Sequence, residues 1–442
     1  MTIIEKYTTV GTFKYSPPTK KFVDLICNTE YQSLGIFALD ESSYLWAWGS
    51  GGSGSLGTGS IGGTANSFPA SVLGGITWAK VACGNSCTFG LDQSSYIWSW
   101  GFNGYGSLGD GTIDNKSSPV SVIGDRQFID IRVINYTVYA LDSSSYLWSW
   151  GNNGSQGLLG DGTTAPKSSP VSVLGDKTWQ KFPLKYTGNA FLDSSSYAWG
   201  WGSNTLGQAG DNSAANRSSP VSVVGGRQWN CLVGCRSTQA TFAMDSSSFI
   251  WGWGSSTIGD GNTVARSSPV SLLGQNNFNF TRVIASISTP YTIGIDTSSR
   301  VWHWGPSVNA ITYSSPVLYG DLQVKVKPDS VSIGYDNTAR WATAITENND
   351  IVSWGSNQGG QAGIGAGGAL SAFPSKALTT ASFTKLVVPW QGAAASTIAL
   401  DSSSYIYTWG TFGVYLGESG AGLKYFPNVM RSMTPRKNIL GD

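Results

Sequence analysis

The sequence predicts an all-β protein, a closed β-propeller, and three observations support that fold class. A Trp-Gly pair recurs eight times along the 442 residues, with successive tryptophans 52, 50, 51, 52, 51, 50 and 55 positions apart. A period of about 50 residues is typical of propellers, solenoids and arrays. Each copy contains a β-hairpin and one or two further short extended segments, and three or four short strands per repeat make a propeller blade. The pairs are Trp48-Gly49, Trp100-Gly101, Trp150-Gly151, Trp201-Gly202, Trp253-Gly254, Trp304-Gly305, Trp354-Gly355 and Trp409-Gly410.

The second strand of each hairpin carries two aromatic residues two positions apart, as in Tyr146 to Gly151 (YLWSWG). Alternation in a strand places both tryptophans of this segment, Trp148 and Trp150, on one face. Burying an aromatic side chain removes roughly 150–250 Å² from water, so the repeated indoles are expected to dominate stability. Small residues on the opposite face would let another strand or sheet come close. The residues between the aromatics are Ala47, Ser99, Ser149, Gly200, Gly252, His303 and Thr408.

The hairpin turn reads Asp-Ser-Ser-Ser in several copies, as at residues 142–145. Asp and Ser favour turns because their side chains hydrogen-bond nearby backbone groups. A carboxylate repeated in nearly every unit is therefore interpreted as part of the scaffold and not as a catalytic pair. A loop rich in Gly, Asn and Ser follows each Trp-Gly, and then a short segment that begins with Pro, where a strand tolerates it. The turn aspartates are Asp40, Asp92, Asp142, Asp193, Asp245, Asp296 and Asp401.

Two of these loops, WGSNTLGQAGD at residues 201–211 and WGSNQGGQAG at residues 354–363, resemble the W-G-x-N-x-x-G-Q-L-G segment of the RCC1 (regulator of chromosome condensation) repeat. The resemblance covers about residues 22–430. It implies an RCC1-like β-propeller, which usually has seven blades, and the family name implies guanine-nucleotide exchange on a small GTPase. The repeats depart from the family at two places. The His usual before Ala-Leu in the first hairpin strand is absent, and Ser replaces the Gly usual in the hairpin turn.

Eight hairpins predict eight blades in a single propeller that spans residues 22–430. The alternative is seven blades with an accessory hairpin at one end. Residues 1–21 are expected to form a leader and residues 431–442 a C-terminal tail. In a closed ring the last strands meet the first unit, so no long sheet edge is left free.

The charge balance argues against nucleic acid and anionic membranes as partners. Lys and Arg number 27 against 26 Asp and Glu, so the chain has no strong overall field. No stretch reaches the roughly 20 apolar residues of a membrane span. The N-terminal residues lack the basic start and apolar core of a secretory signal. Localisation is left open between the compartment of synthesis and release by lysis or within an assembly such as a virion.

No set of residues predicts a catalytic, cofactor or metal site, and the chain is expected not to be an enzyme. The single histidine, His303, lies between two tryptophans and is interpreted as structural. Two C-x₃-C spacings hint at zinc, which needs four Cys or His ligands, but the two pairs lie in units that are not adjacent and the chain has one histidine. The cysteines are therefore interpreted as core residues. The five cysteines are Cys27, Cys83, Cys87, Cys231 and Cys235.

Glycine-rich loops invite two further readings, calcium binding and phosphate binding. The Gly-Asp-Gly steps at Asp110 and Asp161, with Asp260 similar, hold one carboxylate each, whereas calcium needs several oxygen ligands. A turn role is therefore predicted for them. The segment at residues 49–59 has no following Lys-Ser/Thr and no helix start, which argues against a phosphate cradle.

Exposed aromatics in the loops after Trp-Gly give the candidate partner-binding site. Most of these loops use Ser, Asn and Gly, but unit two has Phe102 and Tyr105, and unit eight has Phe412 and Tyr415. Units eight and two flank unit one in a ring, and the loop of unit one is nearly all Gly and Ser. Aromatics on either side of a small-residue saddle would make a recognition patch. The alternative is that these rings only pack onto neighbouring loops.

The sequence thus predicts a non-enzymatic recognition or structural propeller that binds a protein or glycan through surface loops. A bacteriophage particle component, such as a fibre, decoration or receptor-binding protein, is one expected setting. A nucleotide exchange factor is the first alternative, and the lack of a long insertion between units argues against it. An enzyme inhibitor that caps a target with a propeller face is the second.

Overall fold

A computed structural model describes residues 21–27, 35–62, 66–182, 190–235, 240–274, 280–285, 292–298, 300–306, 312–318, 325–335, 340–364, 371–377, 379–388, 396–410 and 424–429. These residues form eight antiparallel sheets, here called blades 1 to 8 in chain order. Within each blade the strands lie side by side in sequence order. Seven blades have four strands, and blade 4 has three among its described residues.

The strands of blades 1 to 4 are β1 (Phe22–Cys27), β2 (Gly35–Asp40), β3 (Leu45–Gly49), β4 (Asn66–Ser71); β5 (Trp78–Cys83), β6 (Cys87–Asp92), β7 (Ile97–Gly101), β8 (Lys116–Ser121); β9 (Phe128–Ile134), β10 (Thr137–Asp142), β11 (Leu147–Gly151), β12 (Lys167–Ser172); and β13 (Ala190–Leu192), β14 (Ala198–Gly202), β15 (Arg217–Ser222). Those of blades 5 to 8 are β16 (Trp229–Cys235), β17 (Ala240–Asp245), β18 (Ile250–Gly254), β19 (Arg266–Ser271); β20 (Phe280–Ala285), β21 (Thr292–Asp296), β22 (Val301–Pro306), β23 (Thr312–Leu318); β24 (Ser332–Tyr335), β25 (Arg340–Ile345), β26 (Ile351–Gly355), β27 (Ser371–Lys376); and β28 (Phe383–Val387), β29 (Ser396–Asp401), β30 (Ile406–Gly410), β31 (Lys424–Val429). Short 3₁₀ turns occur at Gly52–Gly54 and Pro328–Ser330.

The blades close into a ring. First strands of neighbouring blades contact each other, β1 with β5, β5 with β9 and β16 with β20, and so they lie nearest the axis. Strand β1 also contacts β28 and β29 of blade 8. Phe22 and Trp48 of blade 1 share a buried cluster with Ile398 and Leu400 of blade 8. The prediction of eight blades in a closed propeller is confirmed, and the alternative of seven with an accessory hairpin is wrong.

Each pair of neighbouring blades is held by one layer of buried apolar side chains, and the repeated tryptophans face that layer. Trp148 and Trp150 of blade 3 both pack against blade 2, together with Phe89 and Leu108. The predicted common face of the two indoles is therefore confirmed. The second indole is at most 1% exposed in all eight repeats, so every blade contributes one to the core. These residues are Trp48, Trp100, Trp150, Trp201, Trp253, Trp304, Trp354 and Trp409.

The turn aspartate ties the hairpin to the first tryptophan of the pair. In blade 3, Oδ1 of Asp142 accepts hydrogen bonds from the backbone N–H groups of Ser144 and Tyr146, both at 2.9 Å. Its Oδ2 accepts a hydrogen bond from the indole Nε1 of Trp148 at 2.8 Å. The same bond to the indole forms in blades 1, 2, 4, 5 and 6 at 2.9–3.0 Å. The predicted turn role is confirmed, and the bond to the indole adds a link from the turn to the interblade layer.

The small residue between the tryptophans makes room for the loop of its own blade. Ser99 Oγ donates to the carbonyl of Leu108 in the following loop at 2.6 Å. The carbonyl of Ser107, one residue earlier, accepts a hydrogen bond from Nε1 of Trp150 in the next blade at 2.9 Å. A Cβ at Gly200 would lie 2.5 Å from the carbonyl oxygen of Ala209 in the loop of blade 4. The loop after Trp-Gly therefore sits between neighbouring sheets as part of the core.

Candidate partner-binding site

The two ends of the strands define two faces of the ring. The Asp turn between the second and third strands lies at one end, and the loop after Trp-Gly lies at the other. The turn between the first and second strands shares the second end, because Asn135 and Tyr136 follow β9 and precede β10. We call this second end the loop face. Phe102 and Tyr105 both belong to a loop on this face.

The loop of blade 2 is fixed by the buried side chain of Asn103. Its Nδ2 donates to Asp110 Oδ1 and to the carbonyl of Thr112, both at 3.1 Å. Its Oδ1 accepts a hydrogen bond from the backbone N–H of Leu108 at 2.9 Å. Its own backbone N–H donates to Oδ1 of Asn115 at 2.8 Å. One amide therefore holds both ends of the loop.

Asp110 belongs to this scaffold and has the predicted turn role. Burial would raise the pKa of Asp110, but hydrogen bonds from Thr112 and Asn103 and the charge of Lys116 hold that pKa below its usual value. Among the described residues, no group of three or more His, Cys, Asp or Glu side chains could hold a metal ion.

Blade 4 builds the same loop without aromatic residues. Asn204 repeats the bonds of Asn103, with distances of 2.9 Å for its backbone N–H, 3.1 Å to the loop aspartate and 2.8 Å at Oδ1. Ser203 and Leu206 stand where blade 2 has Phe102 and Tyr105. The loop scaffold therefore forms whether or not those two positions are aromatic.

Phe102 and Tyr105 come together with Tyr136 from blade 3, and we call these three residues the aromatic cluster. The centroids of Phe102 and Tyr105 lie 6.0 Å apart, and each lies 5.1 Å from the centroid of Tyr136. Tyr105 is 42% exposed, and the other two are half-buried. The cluster is anchored through its backbone: Phe102 N–H donates to the carbonyl of Ser86 at 2.8 Å.

A second anchor fixes the cluster to its neighbour. Ser107 Oγ donates to the carbonyl of Tyr136 at 2.7 Å. Gly106 has φ +70°, and a Cβ there would lie 2.6 Å from Cα of Ser168 on β12. Only glycine lets the loop of blade 2 approach the outer strand of blade 3 this closely. The aromatic rings are thus carried by backbone that is held from both blades.

The structure places only part of the predicted site. Phe102 and Tyr105 do contact a neighbouring turn, as the alternative interpretation expected, yet Tyr105 keeps a large exposed surface. Phe412 and Tyr415 lie outside the described residues. Blades 8 and 2 do flank blade 1, as expected for a ring. The role of all four residues in binding stays a prediction.

Tyr136 is the residue that the sequence reasoning missed. It lies in the turn between first and second strands, whereas the search for unusual side chains covered only the loops after Trp-Gly. The turn between the first and second strands lies on the loop face, as the loop after Trp-Gly does. The signal in the sequence was therefore an aromatic residue in that turn. In blade 2 the corresponding turn is Gly84, Asn85 and Ser86.

His303 is buried at 6% exposure, and its ring lies edge-on to Tyr313 with centroids 4.9 Å apart. Burial lowers the pKa of His303 to about 4, so the imidazole is neutral at physiological pH. It stands at the position that other blades fill with small residues, on the face away from the indoles. Among the described residues, no helix is long and apolar enough to cross a membrane.

These observations define the chain as a repeat β-propeller whose scaffold residues recur while its loop-face side chains vary. Comparison with known families gives the type of repeat. The model of the regulator of chromosome condensation (RCC1) repeat matches residues 43–91 and 95–136. The chain is an RCC1-like β-propeller.

Named relatives match short parts of the chain. The human E3 ubiquitin-protein ligase HERC2 is 30% identical over 113 residues, which are 25% of this chain and 2% of HERC2. The mitochondrial RCC1 domain-containing protein RUG3 of Arabidopsis thaliana is 32% identical over 79 residues, which are 18% of each chain. The aligned regions thus span less than a fifth of either relative.

Solved structures match over most of the propeller. Human WBSCR16 aligns with a TM-score of 0.56 at 18% identity, covering 79% of this chain and 96% of that structure. Prp20p from Saccharomyces cerevisiae aligns with a TM-score of 0.55 at 16% identity, covering 89% and 87%. At this level of identity the likeness shows the fold alone.

Proposed function

We propose that this protein is a non-enzymatic recognition propeller that binds a protein partner through the aromatic cluster on its loop face. The observation that supports this most directly is the comparison of blades 2 and 4. Both loops have the same buried asparagine and the same hydrogen bonds, but only blade 2 adds Phe102 and Tyr105. Because blade 4 forms the scaffold without them, these rings are free to serve another purpose.

The chemistry of the cluster suits a protein surface. Tyr and Phe are typical anchors at interfaces, since they bury a large area at a small cost in conformational entropy. The two backbone anchors hold Phe102 and Tyr136 in place before any partner arrives, which lowers the entropy lost on binding. Relatives of the same fold bind proteins: solved structures describe Prp20 with Kap60 and the binding properties of Prp20p to Gsp1p and histones.

A photo-crosslinking experiment tests the proposal. We would replace Tyr105 with p-benzoylphenylalanine in the full chain, irradiate it in extract from its source, and identify the crosslinked protein. The control places the same residue at Tyr146, which is 46% exposed at the opposite end of the strands. A protein captured from Tyr105 and not from Tyr146 is expected.

Affinity for that protein then decides the role of the rings. Phe102→Ser with Tyr105→Leu gives blade 2 the side chains of blade 4, so folding should be retained. The double variant is expected to bind at least about tenfold more weakly, because truncating a hot-spot anchor at an interface costs about 2 kcal/mol or more. Tyr146→Ser is expected to bind normally. Unchanged affinity of the double variant, with native circular dichroism, would refute the proposal.

The proposal is narrower than the set of functions that the sequence left open. Glycan binding and a place in a bacteriophage particle have no support in the fold, the cluster or the comparisons, and they are not proposed. Guanine-nucleotide exchange is not favoured either, because likeness to Prp20p at 16% identity extends to the fold alone. Capping of a target enzyme is one form of protein binding, and the crosslinked partner would identify it.

A further inference from the structure

A cavity of about 240 Å³ lies beside the first strands of blades 3, 4 and 5, and it shares no residue with the aromatic cluster. Its described lining includes no Asp or Glu. Five of the lining residues carry the argument below: Arg132, Lys181, Phe182, Phe191 and Cys231. The volume corresponds to roughly eight water molecules at about 30 Å³ each, enough for one ring-sized compound.

The described inner part of blade 4 borders this space. Blades 3 and 5 have first strands of seven residues, β9 and β16. In blade 4 the corresponding described segment pairs through a single bridge between Trp179 and Asp193 and one hydrogen bond from Gln180 N–H to the carbonyl of Leu192 at 3.0 Å. The cavity lies beside these described residues of blade 4.

Charged residues recur at one position of the first strands, and their signs mostly compensate. This position is two residues after the aromatic that pairs with the turn aspartate. Lys80 contacts Asp130 in the next blade, and Lys385 of blade 8 lies 2.5 Å from Asp24 of blade 1. Arg282 of blade 6 contacts Asp329 near blade 7.

Lys181 of blade 4 occupies this same position, and it makes no ion pair with any described residue. Asp130, which belongs to the neighbouring blade, is already engaged: Oδ1 contacts Lys80, and Oδ2 accepts a hydrogen bond from the backbone N–H of Phe182 at 3.0 Å. On the other side blade 5 carries Cys231, whose thiol pKa is raised by burial, so it supplies no negative charge at neutral pH. Lys181 thus brings an unbalanced positive charge to the cavity.

Arg132 brings the second positive charge, and it is 7% exposed. Its guanidinium lies 6.0 Å from the ring centroid of Phe182 and 5.6 Å from that of Phe191. The two phenyl rings meet edge-to-face with centroids 6.0 Å apart. A cation flanked by aromatic rings in a water-poor space favours a planar anion, since guanidinium matches a carboxylate with two parallel hydrogen bonds.

We infer that this cavity binds a small aromatic monocarboxylate. Arg132 holds the carboxylate, Lys181 contributes a second positive charge near the opening, and Phe182 and Phe191 contact the ring in edge-to-face or offset geometry. The negative charge of such a ligand would balance the positive charge of Lys181.

A ¹⁹F NMR titration of the full chain with 4-fluorobenzoate tests the inference. Saturable shifts are expected at ligand concentrations up to about 10 mM, since a site of this size can supply millimolar affinity. The neutral analogue 4-fluorobenzamide is expected to bind at least about tenfold more weakly, because it lacks the charge-assisted hydrogen bonds.

Two variants and a matched control locate the site. Lys181→Gln removes a charge from an exposed side chain and should weaken 4-fluorobenzoate binding about tenfold. Arg132→Lys keeps the charge but loses the planar fork, and a comparable loss is expected. Lys385→Gln changes the same strand position in blade 8 and should leave the affinity unchanged.

Four results would each overturn the inference: no saturable shift with 4-fluorobenzoate, equal binding of 4-fluorobenzamide, unchanged affinity in Lys181→Gln, or equal losses in Lys181→Gln and Lys385→Gln. If Arg132→Lys fails to fold, the comparison of Lys181→Gln with Lys385→Gln decides the question by itself.

Discussion

Protonation of His303 in the unfolded chain should destabilise this propeller when the pH falls from about 7.5 to about 5. His303 is the only histidine in the chain, and it is 6% exposed within the packed body of blade 6. Its ring contacts Tyr313 edge-on, with centroids 4.9 Å apart. Burial lowers the pKa of His303 to about 4 in the folded protein, whereas an unfolded chain has a histidine pKa of about 6.5.

The sign and size of the effect follow from these two values. Between about pH 6.5 and about pH 4 the unfolded chain binds a proton that the folded protein excludes, so falling pH favours unfolding. The contribution of His303 is complete above about pH 6.5 and is lost progressively below it. One pKa unit corresponds to 1.36 kcal/mol, so at about pH 5 the loss from this residue is about 2 kcal/mol.

Urea unfolding followed by tryptophan fluorescence, with refolding checked at each pH, measures this loss. The matched variant is His303→Ser, because serine fills this position in blades 2 and 3 as Ser99 and Ser149. The carboxylates titrate in both proteins, so their contribution cancels in the comparison. The wild type should lose about 2 kcal/mol more than the variant between the two pH values. Equal losses would show that His303 is not held neutral by burial, and the reasoning would fail.

Three further predictions concern the hairpin turn and the interblade layer. Asp142→Asn keeps an acceptor for the turn but cannot accept the indole N–H of Trp148, and urea unfolding should show a loss of about 1–3 kcal/mol. Ser145 has φ 66°, in the left-handed region that is costly for residues other than glycine, so Ser145→Gly should stabilise the protein by about 1 kcal/mol and raise the thermal unfolding midpoint. Ser144 is not in the left-handed region, so Ser144→Gly should lower the midpoint. Trp150→Phe leaves a gap and a buried carbonyl in the loop of blade 2, and a loss of about 3 kcal/mol in the unfolding free energy is expected; less than about 0.5 kcal/mol would contradict the proposed role of this indole.

The fold could be predicted from the sequence because its determinants are local and repeated. The alternation that put Trp148 and Trp150 on one face depends only on strand geometry. The turn role of Asp142 depends on side-chain bonds that reach two to four residues along the chain. The bond from Trp148 to Asp142 was not foreseen, because it requires the actual twist of the hairpin and not only its existence.

The candidate site could be predicted only in part, because it depends on which loops the ring brings together. Phe102 and Tyr105 were found as departures from the usual loop composition. Tyr136 meets them only because blade 3 places its first turn beside the loop of blade 2. The cavity beside Lys181 was missed for the same reason, since its lining comes from three blades. Contacts between blades depend on closure of the ring, and no sequence spacing encodes them directly.

Repetition itself separates structural residues from candidates for function in this protein. Asn103, Asn204 and Asn357 each accept a hydrogen bond from the loop backbone through Oδ1, at 2.8–2.9 Å, so the amide is required by the fold. At the positions one residue before and two residues after this asparagine, the side chains differ between blades. Since the same scaffold bonds form around Phe102 and around Ser203, replacing one by the other should change stability little. The double variant Phe102→Ser, Tyr105→Leu removes an exposed ring and should change the folding stability little. A change in its affinity for the partner therefore reports on binding alone, which makes it the most informative variant of this propeller.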